Sequence, residues 1–316
     1  MQSAPFYYLV NMSLAASAVI VALLLIRLIR PLPRRVIYPL WALAFLRLAV
    51  PVSPSAGWSL FHLAGGLVRR VIPLEMMMPG ANPSPLQWST MNFAGAAQSY
   101  APLIYKTELL RSIFTVGSAV WAIVALAALL AMAVLYTLTL AELRQAAPLR
   151  GDLYRSDAVL SPVLVGVFRT KIILPPGLDP DSPQGQLILA HEQVHRQRRD
   201  NLWRALSIGI VCVHWFNPLA WVLLRAFLAD MEFSCDEAVL RQGKYTSQQR
   251  KEYASALLHF AEDKRFLFSA AFGQSAVRVR IIHALNYRRM TWIGAIATAA
   301  FVLALALALL SNPTPS

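Results

Sequence analysis

The sequence predicts a mostly α membrane protein: four transmembrane helices, with a soluble α+β domain of about 150 residues between the third and the fourth. Three observations carry that prediction. Hydrophobic residues fill 57% of the 316 positions and charged residues only 14%, a balance far from that of soluble globular domains. Four runs are apolar enough to sit in hydrocarbon. The stretch between the third and fourth of them, residues 141–290, holds turn signals, a helix cap and charged helical faces, as a compact folded unit would.

Residues 8–29, 113–140 and 291–310 are each long enough to cross about 30 Å of hydrocarbon at about 1.5 Å per residue. The remaining run, VIYPLWALAFLRLAVPV over residues 36–52, is shorter and contains Pro39 and Arg47. Arg47 lies near one end, where its side chain is expected to snorkel to the interface. Basic residues follow the first run, at Arg27, Arg30, Arg34 and Arg35, rather than precede it, which marks an uncleaved anchor and not a secretory signal. By the positive-inside rule the short loop after it is cytoplasmic. Arg144, Arg150 and Arg155 after the third span, with Arg288 and Arg289 before the fourth, agree with that orientation.

The resulting division is residues 1–53, two spans with a short cytoplasmic loop; 54–112, an extracytoplasmic loop; 113–140, the third span; 141–290, a cytoplasmic domain; 291–310, the fourth span; and 311–316, a short extracytoplasmic tail. The expected setting is a bacterial-type inner membrane crossed several times, with both chain ends outside. Topology accounts for part of the net charge of +13, from 29 Lys and Arg against 16 Asp and Glu. No nucleic-acid-reading motif accompanies the basic excess, so the expected counterions are anionic lipid headgroups and direct nucleic-acid binding is not expected. Cys212 and Cys235 both fall on the cytoplasmic side, where thiols stay reduced.

The loop 54–112 is rich in Pro, Gly and Ser and reads as irregular chain with one or two surface helices. His62 and the run Met76, Met77, Met78 in it are taken as packing residues. In the cytoplasmic domain, AVLSPVLVGVFRTKIILPPGL predicts two short strands with the turn near FRT. Ser182 then caps a helix with Pro183 at its first position, and no breaker follows Gly185 for more than twenty residues, so HEQVH, residues 191–195, is helical. The apolar stretch 207–229 is broken at Asn217-Pro218, leaving halves too short to cross a bilayer; it reads as a buried hairpin, a re-entrant piece or an interfacial segment.

On a helix, His191 and His195 point the same way one turn apart, and two imidazoles so placed can bind one tetrahedral Zn²⁺. Such an ion lowers the pKa of water to about 7 and polarises a carbonyl, while Glu192, beside the histidines, can take the water's proton. That is the chemistry of peptide-bond hydrolysis. It needs a third protein ligand, and a second helix, ADMEFSCDEAVL, offers candidates. Glu232 and Asp236 are again one turn apart, so the first could ligate the metal and the second accept a hydrogen bond from a ligating imidazole. Alone, the same pattern is an ordinary solvated acidic face. Because Glu232 has to reach the ion held by His191, the chain between them crosses the membrane either not at all or twice.

HEQVHRQRRDNLW, followed by NPLAW and DMEFSCDEAVL, resembles the integral-membrane zinc metallopeptidases of the BlaR/MecR antirepressor type, peptidase family M56, which are gluzincins. The resemblance covers the cytoplasmic domain and the four-span arrangement. It implies a gluzincin-type domain with His191, His195 and Glu232 as zinc ligands, Glu192 as general base and Asp236 as a partner of a ligating imidazole. It implies also that a substrate peptide aligns beside the strand pair VLVGVFRTKIILP by strand addition. The implied substrate is a cytoplasmic protein such as a winged-helix repressor, with self-cleavage ahead of the last span, for which LFSAAFGQSAV over residues 267–277 is the candidate loop. Receptors of this type carry a penicillin-binding sensor after the last span. Here only SNPTPS follows Leu310, so the expectation is either a sequence that ends early or a short form that takes its signal through the loop 54–112 or from a partner protein, the partner being a second copy or a separate sensor.

Two other readings remain open at this point. One is a membrane quality-control or maturation protease, which also uses HExxH with a distant glutamate; the other is a non-catalytic membrane signal transducer that keeps the fold. Tyr245 and His214 are guesses for a group that stabilises the oxyanion.

Overall fold

The computed structural model describes residues 5–28, 32–51, 53–55, 87–89, 104–242, 250–255, 273–285 and 292–310. Most of the loop 54–112, Tyr245 and most of the candidate self-cleavage segment lie outside the described residues. All four apolar runs are helical: α1 (Pro5–Arg27), α2 (Arg34–Ala49), α3 (Ile104–Glu142) and, last in the chain, α8 (Trp292–Leu310). α1 and α3 are long and apolar enough over Tyr8–Arg27 and Ser112–Gln145 to cross a membrane. α3 starts at Ile104, well before the apolar run predicted to begin at 113, because a helix needs no apolar residue once it leaves hydrocarbon. Its surface is apolar and open, with Ile123, Leu126, Leu130, Val134 and Leu138 all exposed.

Arg47 departs from expectation. It is buried, and its guanidinium donates to the carbonyl of Leu310 at 3.5 Å, so it meets the C-terminal end of α8 instead of reaching for solvent. The unpaired carbonyls there carry partial negative charge that favours a cation.

Between α3 and α8 a short 3-10 turn, Leu143–Gln145, leads into four strands: β3 (Ala147–Arg150), β4 (Leu153–Arg155), β5 (Val163–Val165) and β6 (Lys171–Leu174). A separate two-stranded antiparallel ribbon is made by β1 (Ser53–Ser55) and β2 (Gln87–Ser89). The sheet runs β3-β4-β6-β5, with β4 and β6 parallel and the other neighbours antiparallel. The predicted hairpin is β5–β6. Gly166 opens its turn at φ +97, where a Cβ would also meet the carbonyl oxygen of Arg169 at 2.3 Å.

Two helices carry the residues of interest. α4 (Pro183–Arg198) starts where the sequence places it: Ser182 accepts from the Gly185 amide at 3.0 Å, and Pro183 takes the first position. Leu187 and Val194 face the helix α6 described below, and Ile188 packs with Leu164, Ile172 and Leu174 of the sheet. The helix does not continue past 198 as the lack of a breaker suggested. Arg199 adopts the left-handed conformation at φ 55, and a new helix, α5 (Asp200–Val213), starts there. A non-glycine residue held so costs about 1–2 kcal/mol.

The apolar stretch beyond is a helical hairpin, one of the three forms expected. α5 turns through residues 214–217 into α6 (Pro218–Gln242), with Asn217 capping the new helix through its Oδ1 on the Leu219 amide at 2.9 Å. The turn inserts among α1, α2 and α3. His214 Nε2 donates to the Leu48 carbonyl at 2.9 Å, so its Nδ1 accepts from the Ser13 hydroxyl at 2.7 Å. Trp121 donates to the Val213 carbonyl at 2.7 Å, and Phe216 meets Phe6 edge-on at 5.2 Å. The hairpin therefore lies along nearly the whole of α1, and it brings the chain back to the side from which it left.

Candidate metal centre

At the open end of that hairpin, α4 and α6 lie side by side. The four carboxylates of α6 divide between two faces, since positions two apart on a helix lie about 200° apart around its axis. Glu232 and Asp236 face α4. Asp230 and Glu237 face the connection between α1 and α2: Asp230 is fully buried and accepts from Arg27 at 3.0 Å and from the Trp41 indole at 2.9 Å. Glu237 accepts the backbone amides of Arg34 and Arg35 at 2.9 and 3.0 Å, which are otherwise unpaired donors of the first turn of α2.

His191 and His195 are both buried, and their Nε2 atoms stand 3.1 Å apart. The outer nitrogens fix the tautomers. His195 Nδ1 donates to Asp200 Oδ2 at 2.6 Å, a contact available only because the chain breaks at Arg199 and swings Asp200 back. His191 Nδ1 faces the Tyr253 oxygen at 3.0 Å and Asp236 Oδ1 at 3.3 Å. Tyr253 spends its own proton on Asp236 at 2.6 Å, so its oxygen accepts from His191. In their neutral forms both imidazoles consequently aim an Nε2 lone pair at the same small volume.

Glu232 Oε2 closes that volume, 3.5 Å from His191 Nε2 and 3.7 Å from His195 Nε2. Donor atoms on a tetrahedral zinc with bonds of about 2.0–2.1 Å lie about 3.3–3.4 Å apart. The three separations of 3.1, 3.5 and 3.7 Å bracket that value, so the donor set fits such an ion. Cys235 is a second candidate: the donor atoms of His191, His195 and Cys235 lie within 4.8 Å of one another. Its thiol, however, donates to the backbone carbonyl of His191 at 3.3 Å and is fully buried between the helices, while Glu232 keeps a quarter of its side chain open to solvent.

Two arginines hold Glu232. Arg204 of α5 donates to Oε1 at 2.7 Å, and Arg280 of α7 (Gly273–Leu285) stands 3.1 Å from Oε2. Arg280 also grips both oxygens of Asp236, at 2.8 and 2.9 Å. Burial works against ionised carboxylates here, yet Arg280 holds both Glu232 and Asp236 well below the usual carboxylate range. Burial likewise disfavours a charged His195. The Cys235 sulfur and the Glu232 and Asp200 carboxylates outweigh it and push the imidazole up to about 10.

Of the residues singled out in the sequence, the fold thus brings His191, His195, Glu232 and Asp236 together. Glu192 lies next to His191 on α4, half-exposed, and makes no hydrogen bond or ion pair with any described residue. His214 is taken up by Ser13 and Leu48 within the helical hairpin, which disposes of it as an oxyanion group. Sequence reasoning did not place Asp200, Tyr253, Arg204 or Arg280 in the site. The signal for Asp200 was its position five residues beyond His195; none of the others sits in a recognisable pattern.

A family model described as BlaR1 peptidase M56 matches residues 7–283, most of the chain and every element of this site. Regulatory protein BlaR1 of Bacillus licheniformis is 32% identical over 143 residues. That alignment covers 43% of this chain and 24% of the relative, so the match spans about a quarter of that protein's length.

Proposed function

The chain belongs to the M56 family of metallopeptidases, and from that premise we propose that it is a membrane-embedded zinc endopeptidase that hydrolyses a peptide bond in a cytoplasmic regulatory protein. The observation that carries the reading is the convergence of His191 Nε2, His195 Nε2 and Glu232 Oε2 at 3.1–3.7 Å, with the outer nitrogen of each imidazole already engaged. Those three side chains hold the ion, and Asp200, Asp236 and Tyr253 orient the two rings. A zinc ion so held supplies Lewis acidity, lowering the pKa of water to about 7 and polarising the scissile carbonyl.

The chain's own residues do the rest. Glu192, with no structural partner among the described residues, takes the water's proton and passes it to the departing amine. Arg280 and Arg204 keep Glu232 ionised and fixed, so that it stays a ligand and does not compete as a base. In the four-span arrangement α1, α2, α3 and α8 cross the membrane and the centre faces the cytoplasm at its inner surface. This fits the substrate class that the antirepressor resemblance of the sequence implies, a repressor within the cell, with self-cleavage in the segment before α8.

The test compares membranes containing the wild-type chain with membranes containing Glu192→Ala, against a panel of cytoplasmic proteins. The expected result is a set of new protein termini in the first that the second lacks, at about one zinc per chain in both. A chain that retains zinc yet yields no such difference would instead be the metal-holding signal transducer, without turnover.

A further inference from the structure

Where α3 ends, an open groove of about 790 Å³ runs between its last turns, the β5–β6 hairpin and the first half of α5. Its apolar wall is formed by Tyr136, Leu140 and Leu206, all three exposed, and continues directly into the open apolar surface of α3. Arg144, Arg169 and Lys171 stand on the same groove, and no aspartate or glutamate lines it. None of the three forms an ion pair with a described residue; Lys171 rests on the Tyr154 ring at 4.4 Å. Phe168, at the tip of the hairpin beside Arg169, is 90% exposed. An aromatic residue with that exposure next to unpaired cations, level with the end of a hydrocarbon-length helix, is the composition of a membrane interface.

We propose that this groove is a binding site for an anionic phospholipid, with Arg144, Arg169 and Lys171 on the phosphate and an acyl chain along Tyr136, Leu140 and Leu206. The occupant follows from the two halves of the lining. A soluble acidic peptide would match the cations but leave the apolar wall wet, and a neutral lipid would cover the wall but leave three cations without a counterion. An anionic lipid satisfies both, each basic side chain near the headgroups contributing to retention. In the hairpin that carries Phe168, the Leu164 carbonyl of β5 and the Gly166 carbonyl of the turn accept from the Asn201 side chain at 2.8 and 2.9 Å, one residue from Asp200. Lipid in the groove therefore braces a hairpin already tied to the turn beside His195.

The inference rests on the proposed embedding of α3, and on neither sidedness nor peptidase activity. The full-length chain in mild detergent is incubated with equimolar phosphatidylglycerol and phosphatidylcholine, and retained lipid is counted by native mass spectrometry. The wild type is expected to retain phosphatidylglycerol in about tenfold preference, and the triple change Arg144→Gln, Arg169→Gln and Lys171→Gln to abolish the preference while leaving zinc content unchanged. If that variant does not fold, Arg169→Gln and Lys171→Gln singly, both on exposed side chains, should each reduce the preference several-fold. Equal retention of the two lipids by the wild type, or an undiminished preference in the variants, overturns the proposal. So does displacement of the lipid by millimolar inorganic phosphate or by an acidic peptide, which would mark a site for a soluble anion.

Discussion

Tyr38 and His195 are joined through a single carboxylate: Asp200 accepts from the Tyr38 hydroxyl on Oδ1 at 3.0 Å and from His195 Nδ1 on Oδ2 at 2.6 Å. Tyr38 belongs to α2, so one oxygen of Asp200 answers to that helix and the other to the candidate metal centre. Asp200→Asn keeps the shape but puts an amide where an acceptor is needed, or turns the ring to the wrong tautomer. Zinc affinity should fall by about 10–100-fold. Tyr38→Phe should cost clearly less, because the carboxylate keeps Arg198 as a partner at 3.4 Å. Competition with a chromogenic chelator measures both; equal losses would show that Asp200 serves the helix packing and not the ring.

A second tie runs from Glu237 to the start of α2. Its carboxylate caps two backbone amides, and an amide side chain can offer only one oxygen to them. Glu237→Gln should cost about 1–2 kcal/mol, the range of a helix cap with charge. Asp230→Asn should cost more, about 3 kcal/mol, since it leaves Arg27 without its buried partner. Thermal unfolding of the full chain in detergent gives the order, and the prediction fails if the two substitutions rank the other way.

Glu232 and Cys235 both lie within reach of the two imidazoles, and their substitution separates them. Glu232→Gln removes the charged oxygen that faces both Nε2 atoms, so bound zinc should drop from about one per chain to a small fraction. Cys235→Ser should leave zinc stoichiometry intact, because the thiol's visible partner is the His191 carbonyl at 3.3 Å, which a hydroxyl can serve as well. Loss of zinc in the serine variant and not in the glutamine variant would make the sulfur the third ligand.

What could be read in advance from the sequence was local. Ser182, Pro183 and the i, i+4 histidines announce a helix start and a shared face within a few residues of each other, and Asn217-Pro218 marks a break that the chain does make. Glu232 and Asp236 were legible for the same reason. The break at Arg199 was not, because it uses neither glycine nor proline and is held by what Asp200 contacts afterwards. Arg280 was invisible because its surroundings, SAVRVRIIH, read as a plain amphipathic helix; only packing of α7 against α6 sets it between two carboxylates. β3 and β4 were missed because three or four residues without alternation carry no strand signal, and β3 is exposed throughout.

Protons should leave when zinc arrives. In the metal-free chain the two Nε2 atoms 3.1 Å apart need something between their lone pairs, and a proton on His195, whose pKa is pushed up to about 10, provides it. The folded pKa lies above the unfolded value of about 6.5, so this proton stabilises the metal-free fold fully below about pH 6.5, and the benefit is lost as pH rises through about 10. Zinc binding runs the other way: it has to expel that proton, so affinity should rise with pH from about 7 to 10, by up to about tenfold per unit for one proton. Titration calorimetry at pH 7 in buffers of different ionisation enthalpy should show about one proton released per zinc. An apparent binding enthalpy independent of the buffer would mean that His195 is already neutral before the metal binds.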